Sequence, residues 1–340
     1  MKAIVLQGEP GKASLVTDRP HPKPRPGYVL VDVKAVALNP TDWKHIDKLN
    51  TKGSLSGCDY AGVVAETGEG YSKSWKVGDR IAGFAHGGNS LQQEDGAFAE
   101  RIAVKADVQL RIPDNMSFED AATLGVGVIT CGQGLFQQMG LDWPNNPSTT
   151  GDFILIYGGS SATGTLGIQF AKFAGYRVIT TCSPRNFDLV KSLGAEEAFD
   201  YNDSEAATKI KDYTKGDLKY IWDTISLEPT AKLSAEVLSS GGIYGAILTV
   251  KFPRDDAKTT HSLGYTAVGE PIEKGGMKRE NNEGDFEFAK KWIQVADPLL
   301  AQGKIKVHPA KVGKGLEEVI DGLDLLRKDK VSGQKLVYVL

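Results

Sequence analysis

The residues of this chain best suited to chemistry lie between Ile154 and Gly167. An apolar run, Ile154-Leu155-Ile156-Tyr157, ends in Gly158-Gly159-Ser160-Ser161-Ala162-Thr163-Gly164-Thr165-Leu166-Gly167, and a helical apolar pattern follows through Ile168, Phe170, Ala171, Phe173 and Ala174. Strand, tight turn and helix N-terminus in that order offer backbone N–H groups and a helix dipole to a pyrophosphate. The spacing of a dinucleotide fingerprint is met with one departure, Ala162 standing where the first glycine belongs. Gly164 then lets the backbone approach the phosphates, and Gly167 lets the helix pack on the sheet. Ser160, Ser161, Ala162, Thr163 and Gly164 are therefore the expected cofactor contacts. A plain glycine-rich turn between a strand and a helix reads the same way in isolation. The repeated strand–helix pattern around it weighs against that.

Thr180-Thr181-Cys182-Ser183-Pro184-Arg185-Asn186 closes the second strand of this pattern. A site for NAD places an Asp or Glu there for the ribose 2′-hydroxyl, and none occurs before Asp188. Ser183, Arg185 and Asn186 instead supply donors and one fixed positive charge, which suit a 2′-phosphate. NADPH is the expected cofactor. Tyr201, at the end of the next strand, either closes the adenosine pocket or is an ordinary half-buried strand tyrosine.

Strands and helices in alternation must hold these residues. Strands are read at 153–157, 177–182, 197–201, 219–223 and 242–248, and helices near 164–174, 185–193, 203–213 and 228–238. That alternation predicts a doubly wound parallel sheet with ligands beyond the carboxyl ends of its strands. Residues 1–123 read as short strands separated by Gly and Pro, among them Val29–Ala37, Gly62–Thr67, Arg80–Phe84 and Ala97–Val104. They predict a twisted, barrel-like β domain. Helical patterning resumes from Glu119, and Leu141–Asp152 is a polar connector. Residues 250–285, polar and Gly-rich, read as a surface excursion or lid. A helix (Phe286–Ala301), a strand near Ile305–His308, a helix (Gly315–Lys328) and a closing strand (Lys335–Leu340) are expected to return to the first domain. The expected division is 1–123 with 286–340, and 124–285, with the active site in the cleft between them.

Composition narrows the function classes. A length of 340 residues suggests two domains, and 41% apolar with 24% charged residues is the balance of a globular protein. A net charge of −3 leaves no basic footprint for nucleic acid. No apolar run approaches the ~20 residues of a membrane helix. Three scattered cysteines, Cys58, Cys131 and Cys182, form no disulfide framework and fit a reducing, cytoplasmic setting. Tyr-x-x-x-Lys, Gly-x-Ser-x-Gly and P-loop patterns are all missing, and the five histidines show no ligand spacing.

A second constellation, Asn39-Pro40-Thr41-Asp42-Trp43-Lys44 followed by Ser56-Gly57-Cys58-Asp59-Tyr60-Ala61-Gly62, is joined by Gly78-Asp79-Arg80 and Gly96-Ala97-Phe98-Ala99-Glu100. With the Gly158–Gly164 turn, these resemble the medium-chain dehydrogenase/reductase superfamily over essentially the whole chain. Within it, Asn39–Lys44 and Gly158–Gly164 look most like the zinc-free branch of quinone oxidoreductases and fungal trans-acting enoyl reductases. The fold this implies is α/β: a GroES-like β-barrel catalytic domain plus a doubly wound Rossmann domain that binds NADP. Alcohol-dehydrogenase relatives place a Cys, then Gly-His-Glu, then a later Cys around a catalytic metal. Here Asn39 stands at the first position, Gly57-Cys58-Asp59 replaces the second and Leu124-Gly125-Val126-Gly127 the third. Zinc takes three or four converging ligands, so no metal is expected, and Cys58 reads as a small buried hydrophobe.

Lys44 occupies the place where many enoyl reductases of this branch carry a tyrosine facing nicotinamide and substrate. An ammonium there would stabilise an enolate oxygen and, with its pKa lowered by burial, donate a proton. On composition alone Lys44 is a surface lysine of the charged turn Asp42–Lys48, in which Asp42 caps and Trp43 packs. Resemblance and sheet geometry add Thr130, Leu248, Thr249, Val331 and Ser332 as nicotinamide neighbours. The implied activity is NADPH-dependent, zinc-independent reduction of an activated C=C bond in an enone, quinone or enoyl thioester, in polyketide or xenobiotic metabolism. Aldehyde reduction would use the same residues. A non-catalytic NADPH-binding role and docking on a polyketide synthase also stay open. Monomer and homodimer are equally compatible, because the sheet edge after Tyr244 is a pairing site unless 250–285 covers it.

Overall fold

A computed structural model describes residues 1–49, 51–274 and 277–340. The chain forms two compact units, Met1–Ile129 with Tyr265–Leu340, and Thr130–Gly264. Residues 124–129 and 265–285 thus go with the first unit, whereas the expected division places them in the second.

The first unit opens with the antiparallel pair β1 (Ala3–Leu6) and β2 (Ala13–Val16). Then come β3 (Tyr28–Ala37), α1 (Pro40–Lys48), β4 (Asp59–Glu66), β5 (Arg80–Phe84), β6 (Arg101–Lys105), β7 (Leu110–Arg111) and α2 (Phe118–Ala122), and α3 (Gly125–Cys131) begins in this unit and ends in the next. β3 is the hub, antiparallel to β4 through pairs such as Ala37 with Asp59 and to β6 through Tyr28 with Lys105. Only Asp32 and Lys34 of β3 escape burial, and their spacing of two puts them on one face. Ile4, Val31, Tyr60, Phe98, Ile102 and Leu336 lie in the core of this unit. The strand expected over Ala97–Val104 is confined to β6.

The second unit runs β8 (Phe153–Tyr157), α4 (Ala162–Phe173), β9 (Arg177–Thr181), α5 (Phe187–Leu193), β10 (Glu197–Phe199), α6 (Ala206–Thr214), β11 (Leu218–Asp223), α7 (Glu228–Val237), β12 (Ile243–Ala246) and β13 (Lys258–His261). Its six strands are all parallel, in the order β10-β9-β8-β11-β12-β13. Every residue of β8 is buried, as an unbroken apolar central strand of a parallel sheet requires. From β8 the chain steps outward to β9 and β10, then returns to β11 on the other side. The turn after β8 therefore sits at the topological switch point, where open α/β sheets bind ligands.

Within the segment 250–285, expected to be a surface excursion, one stretch is a strand of the sheet. Lys258–His261 adds a sixth strand, pairing Ile243 with Lys258 and Tyr244 with Thr259. Three of its four side chains are exposed, which accounts for its polar composition. β12 is accordingly not the sheet edge.

The chain returns through a hairpin, β14 (Ile272–Lys274) and β15 (Met277–Arg279), then α8 (Glu283–Ala301), β16 (Ala310–Lys314), α9 (Val319–Arg327) and β17 (Lys335–Val339). β17 lies antiparallel to β3, pairing Val337 with Ala37, and parallel to β16. No strand forms at 305–308; β16 starts just after Pro309, whose missing N–H suits a strand boundary and not its interior. The helix expected from Gly315 opens as a separate 3-10 turn, Leu316–Glu318. Among the described residues, no helix is long and apolar enough to cross a membrane.

Candidate active site

At the end of β8 the backbone turns into α4 with Ser161 as N-cap. The Ser161 hydroxyl accepts the Gly164 N–H at 2.9 Å and meets the Thr224 hydroxyl at 3.0 Å. Thr224, just past β11, donates to the Tyr157 carbonyl at 2.8 Å, so the two strand ends are tied together beneath the turn. Ser160, Ser161, Ala162 and Thr163 are partly exposed, and among the described residues the amides of Ala162 and Thr163 meet no acceptor. First-turn amides left open on a 12-residue helix are what a pyrophosphate needs. Both fingerprint glycines have steric reasons. A Cβ on Gly164 would run into the Gly158 carbonyl, and one on Gly167 would lie 2.5 Å from the Trp222 ring.

Across the end of β9, the Ser183 and Tyr201 hydroxyls meet at 3.1 Å. Ser183 leads into the 3-10 turn Pro184–Asn186. Arg185 is exposed and, among the described residues, unpaired. The Asn186 side-chain nitrogen is buried and has no acceptor. An unpaired guanidinium, an unused amide and two hydroxyls fit a phosphorylated ribose. Burial first, and then Asp200, push the Cys182 thiol up to about 11, so it stays neutral. Asp200 itself accepts the Asn202 N–H at 2.9 Å. Leu248 and Thr249 are exposed beyond β12, and Thr130 is partly exposed at the start of this unit.

In the first unit, α1 carries Lys44. Asp42 is fully buried and accepts the Asn39 N–H at 2.7 Å, the cap expected of it. Burial pushes its carboxyl up to about 7. Lys44 is half-buried, with its Nζ 5.6 Å from the Trp43 ring centroid and no hydrogen bond among the described residues. Burial and then Lys48 lower its pKa from the ordinary lysine value, against an opposing pull from Asp329. Val331 and Ser332 follow Asp329 in the chain, and Val331 packs against the same core as Trp43. On another face of α1, Tyr265 bonds Thr41 at 2.6 Å and His45 at 2.9 Å, and burial drives its phenol pKa well up. Cys58 is completely buried and unbridged.

Two family models match the chain, Alcohol dehydrogenase GroES-like domain over residues 25–114 and Zinc-binding dehydrogenase over 162–251. Trans-enoyl reductase resD of Aspergillus sclerotiorum is 46% identical over 99% of both chains. Trans-enoyl reductase TOXD of Cochliobolus carbonum is 53% identical over 79% of this chain and 91% of its own. The chain belongs to the trans-enoyl reductases of the medium-chain dehydrogenase/reductase superfamily. It is an oxidoreductase that uses a nicotinamide cofactor. Among solved structures, an alcohol dehydrogenase superfamily protein from Novosphingobium aromaticivorans shares the fold with a TM-score of 0.82 at 24% identity, covering 100% of this chain and 99% of that one. CurK enoyl reductase does so with 0.77 at 20% identity and 99% coverage of each.

Within this reductase, the structure gathers Ser160, Ser161, Ala162, Thr163 and Gly164 at one helix N-terminus and Ser183, Arg185, Asn186 and Tyr201 at a neighbouring strand end. Three features escaped the sequence reading. Thr224 is one, its only signal being a Thr one residue past an apolar strand. Tyr265 is another, hidden in a polar segment. The third is the buried contact of Lys335 with Asn39 and Asp59.

Proposed function

We propose that this reductase moves hydride from NADPH to the β-carbon of an α,β-unsaturated acyl thioester borne by a polyketide synthase, without a metal. The observation that carries the reading is the identity with Trans-enoyl reductase resD along the whole of both chains. A bound dihydronicotinamide supplies the hydride. The amides of Ala162 and Thr163 would hold the pyrophosphate beside Ser160 and Ser161, with Gly164 letting the backbone approach it, while Ser183, Arg185, Asn186 and Tyr201 would hold the phosphorylated ribose. Thr130, Leu248 and Thr249 would face the nicotinamide.

Lys44 is the charge and proton partner. As hydride reaches the β-carbon, the C=C electron pair shifts toward the thioester and negative charge gathers on its carbonyl oxygen. The Lys44 ammonium stabilises that oxygen. A proton from Lys44, or from a water, then goes to the α-carbon, and solvent reprotonates the amine. The lowered pKa of Lys44 and, among the described residues, its lack of a hydrogen-bond partner support this role. The metal-free part rests on the donors present. Asn39 and Asp59 are both engaged by the Lys335 ammonium, and among the described residues no group of three His, Cys, Asp or Glu side chains is placed to hold an ion.

The test is turnover of the purified protein with NADPH and with NADH against an enoyl thioester on a carrier protein, a free enone, a quinone and an aldehyde. NADPH oxidation is expected to be fastest with the carrier-bound thioester. Fastest turnover of the aldehyde, or NADPH binding with no oxidation by any member of the panel, would overturn the reading.

A further inference from the structure

The first unit holds a second lysine that the proposed reaction does not use. Lys335 opens β17, and its side chain is 3% exposed beside an Asp59 side chain that is 0% exposed. Burying an ammonium costs several kcal/mol unless it is paired and hydrogen-bonded. Here all three hydrogens are taken: by Asp59 Oδ2 at 2.5 Å, Asn39 Oδ1 at 3.0 Å and the Thr123 carbonyl at 3.2 Å. Asp59 also accepts Asn39 Nδ2 at 2.9 Å and, on its other oxygen, the Val126 N–H at 2.6 Å. Sheet register brings the cluster together. Ala37 pairs with both Val337 and Asp59, so the ends of β3, β4 and β17 converge, and Asn39 lies just beyond β3. The nearby titratable groups are His308, which burial and then Lys335 push down to about 4, and Asp42.

An ammonium 3% exposed, with each hydrogen turned to a protein oxygen, presents none to a substrate. What Lys335 grips is the entry to α1. The Asn39 side chain is drawn away from helix capping to bridge Asp59 and Lys335, while its N–H is held by Asp42. At the far end of α1, Arg327 donates to both oxygens of Asp47 at 2.8 and 3.0 Å. Lys44 stands between these two anchors.

We infer that Lys335 is a positioning residue for the reduction: with Asp59 it fixes Asn39, and so sets where α1 holds the Lys44 ammonium. The inference rests on the role proposed for Lys44.

Lys335→Arg keeps the charge, but a planar fork cannot reproduce three converging single contacts. Its kcat and KM are measured with NADPH and a crotonyl N-acetylcysteamine thioester, its NADPH Kd by nicotinamide fluorescence and its fold by near-UV circular dichroism. The expected result is a kcat lower by about tenfold with KM, Kd and spectrum unchanged. In a Lys44→Met background the same substitution should cause no further fall. An unchanged kcat, a loss that repeats in full in that background, or a raised Kd as the sole effect overturns the inference. If Lys335→Arg does not fold, Asn39→Ser carries the same cycle with the same expected outcomes, since serine is well accepted at a helix N-cap but removes the bridging amide. Unchanged turnover in Lys44→Met would sink the Lys44 role and this inference with it. Failure of the Lys335 arms alone leaves Lys44 standing.

Discussion

Lys335 and Lys44 lie in the same unit and carry the same functional group, but their surroundings differ in every respect that matters to an ammonium. One is sealed at the junction of three strands, with a carboxylate and two further oxygens around it. The other rides on a helix, half-buried against an indole, with no acceptor among the described residues. A charge whose contacts are complete contributes to structure, because any change in it leaves a partner stranded. A charge whose contacts are incomplete has capacity left for something that arrives later. The contrast sets a lysine that holds structure, and acts on turnover only through α1, against one that is left to meet the substrate itself.

That contrast can be broken most forcefully at Lys335. Lys335→Met strands Asp59 in the interior and should lower unfolding stability by roughly 3–5 kcal/mol, read as a shift in denaturant midpoint. A loss within the range of a surface substitution would show the pair to be dispensable. Lys44→Ala comes next: turnover should fall ~10²-fold or more, while stability changes by about 0.5 kcal/mol or less. Because burial lowers the Lys44 pKa, the wild-type rate should also decline on the alkaline side below the ordinary lysine value of 10.5, and that limb should vanish in the variant. Equal stability losses at both lysines would erase the distinction.

Two smaller effects sharpen it. Arg185→Ala should raise the NADPH Kd by roughly tenfold or more and leave the NADH Kd unmoved; equal effects on both would remove Arg185 from the 2′-phosphate. Asp42, in the first turn of α1, has its carboxyl pushed above its unfolded value of 3.8, to about 7. The folded state then binds the extra proton, so the stability linked to it is complete below pH 3.8 and is lost as pH rises through 7. Asp42→Asn should flatten that decline in a series of thermal melts. A parallel decline in the variant would place its origin elsewhere.

Much of this arrangement is written locally in the sequence, and the rest is not. The β8–α4 turn is legible because a strand end, a capping serine and two sterically required glycines fall within a few residues. Strands and helices from 153 to 246 follow for the same reason, each carrying its own periodicity. Lys258–His261 misleads because an edge strand facing solvent has the composition of a loop. Lys335 is less legible still. Nothing local marks the lysine that opens the run Leu336-Val337-Tyr338-Val339 as buried, and the residues that bury it lie 276 and 296 positions away in the chain. Only the register of β3 with β4 and β17 brings them to it. Short-range patterns therefore announce the cofactor turn, while the clamp on α1 is a property of topology.

The positive charge where β3, β4 and β17 converge is covalently part of the polypeptide. It arrives with translation, one per chain, and needs no uptake, delivery or loading step. No chelator can strip it and no competing ion can take its place. Its replacement requires a mutation.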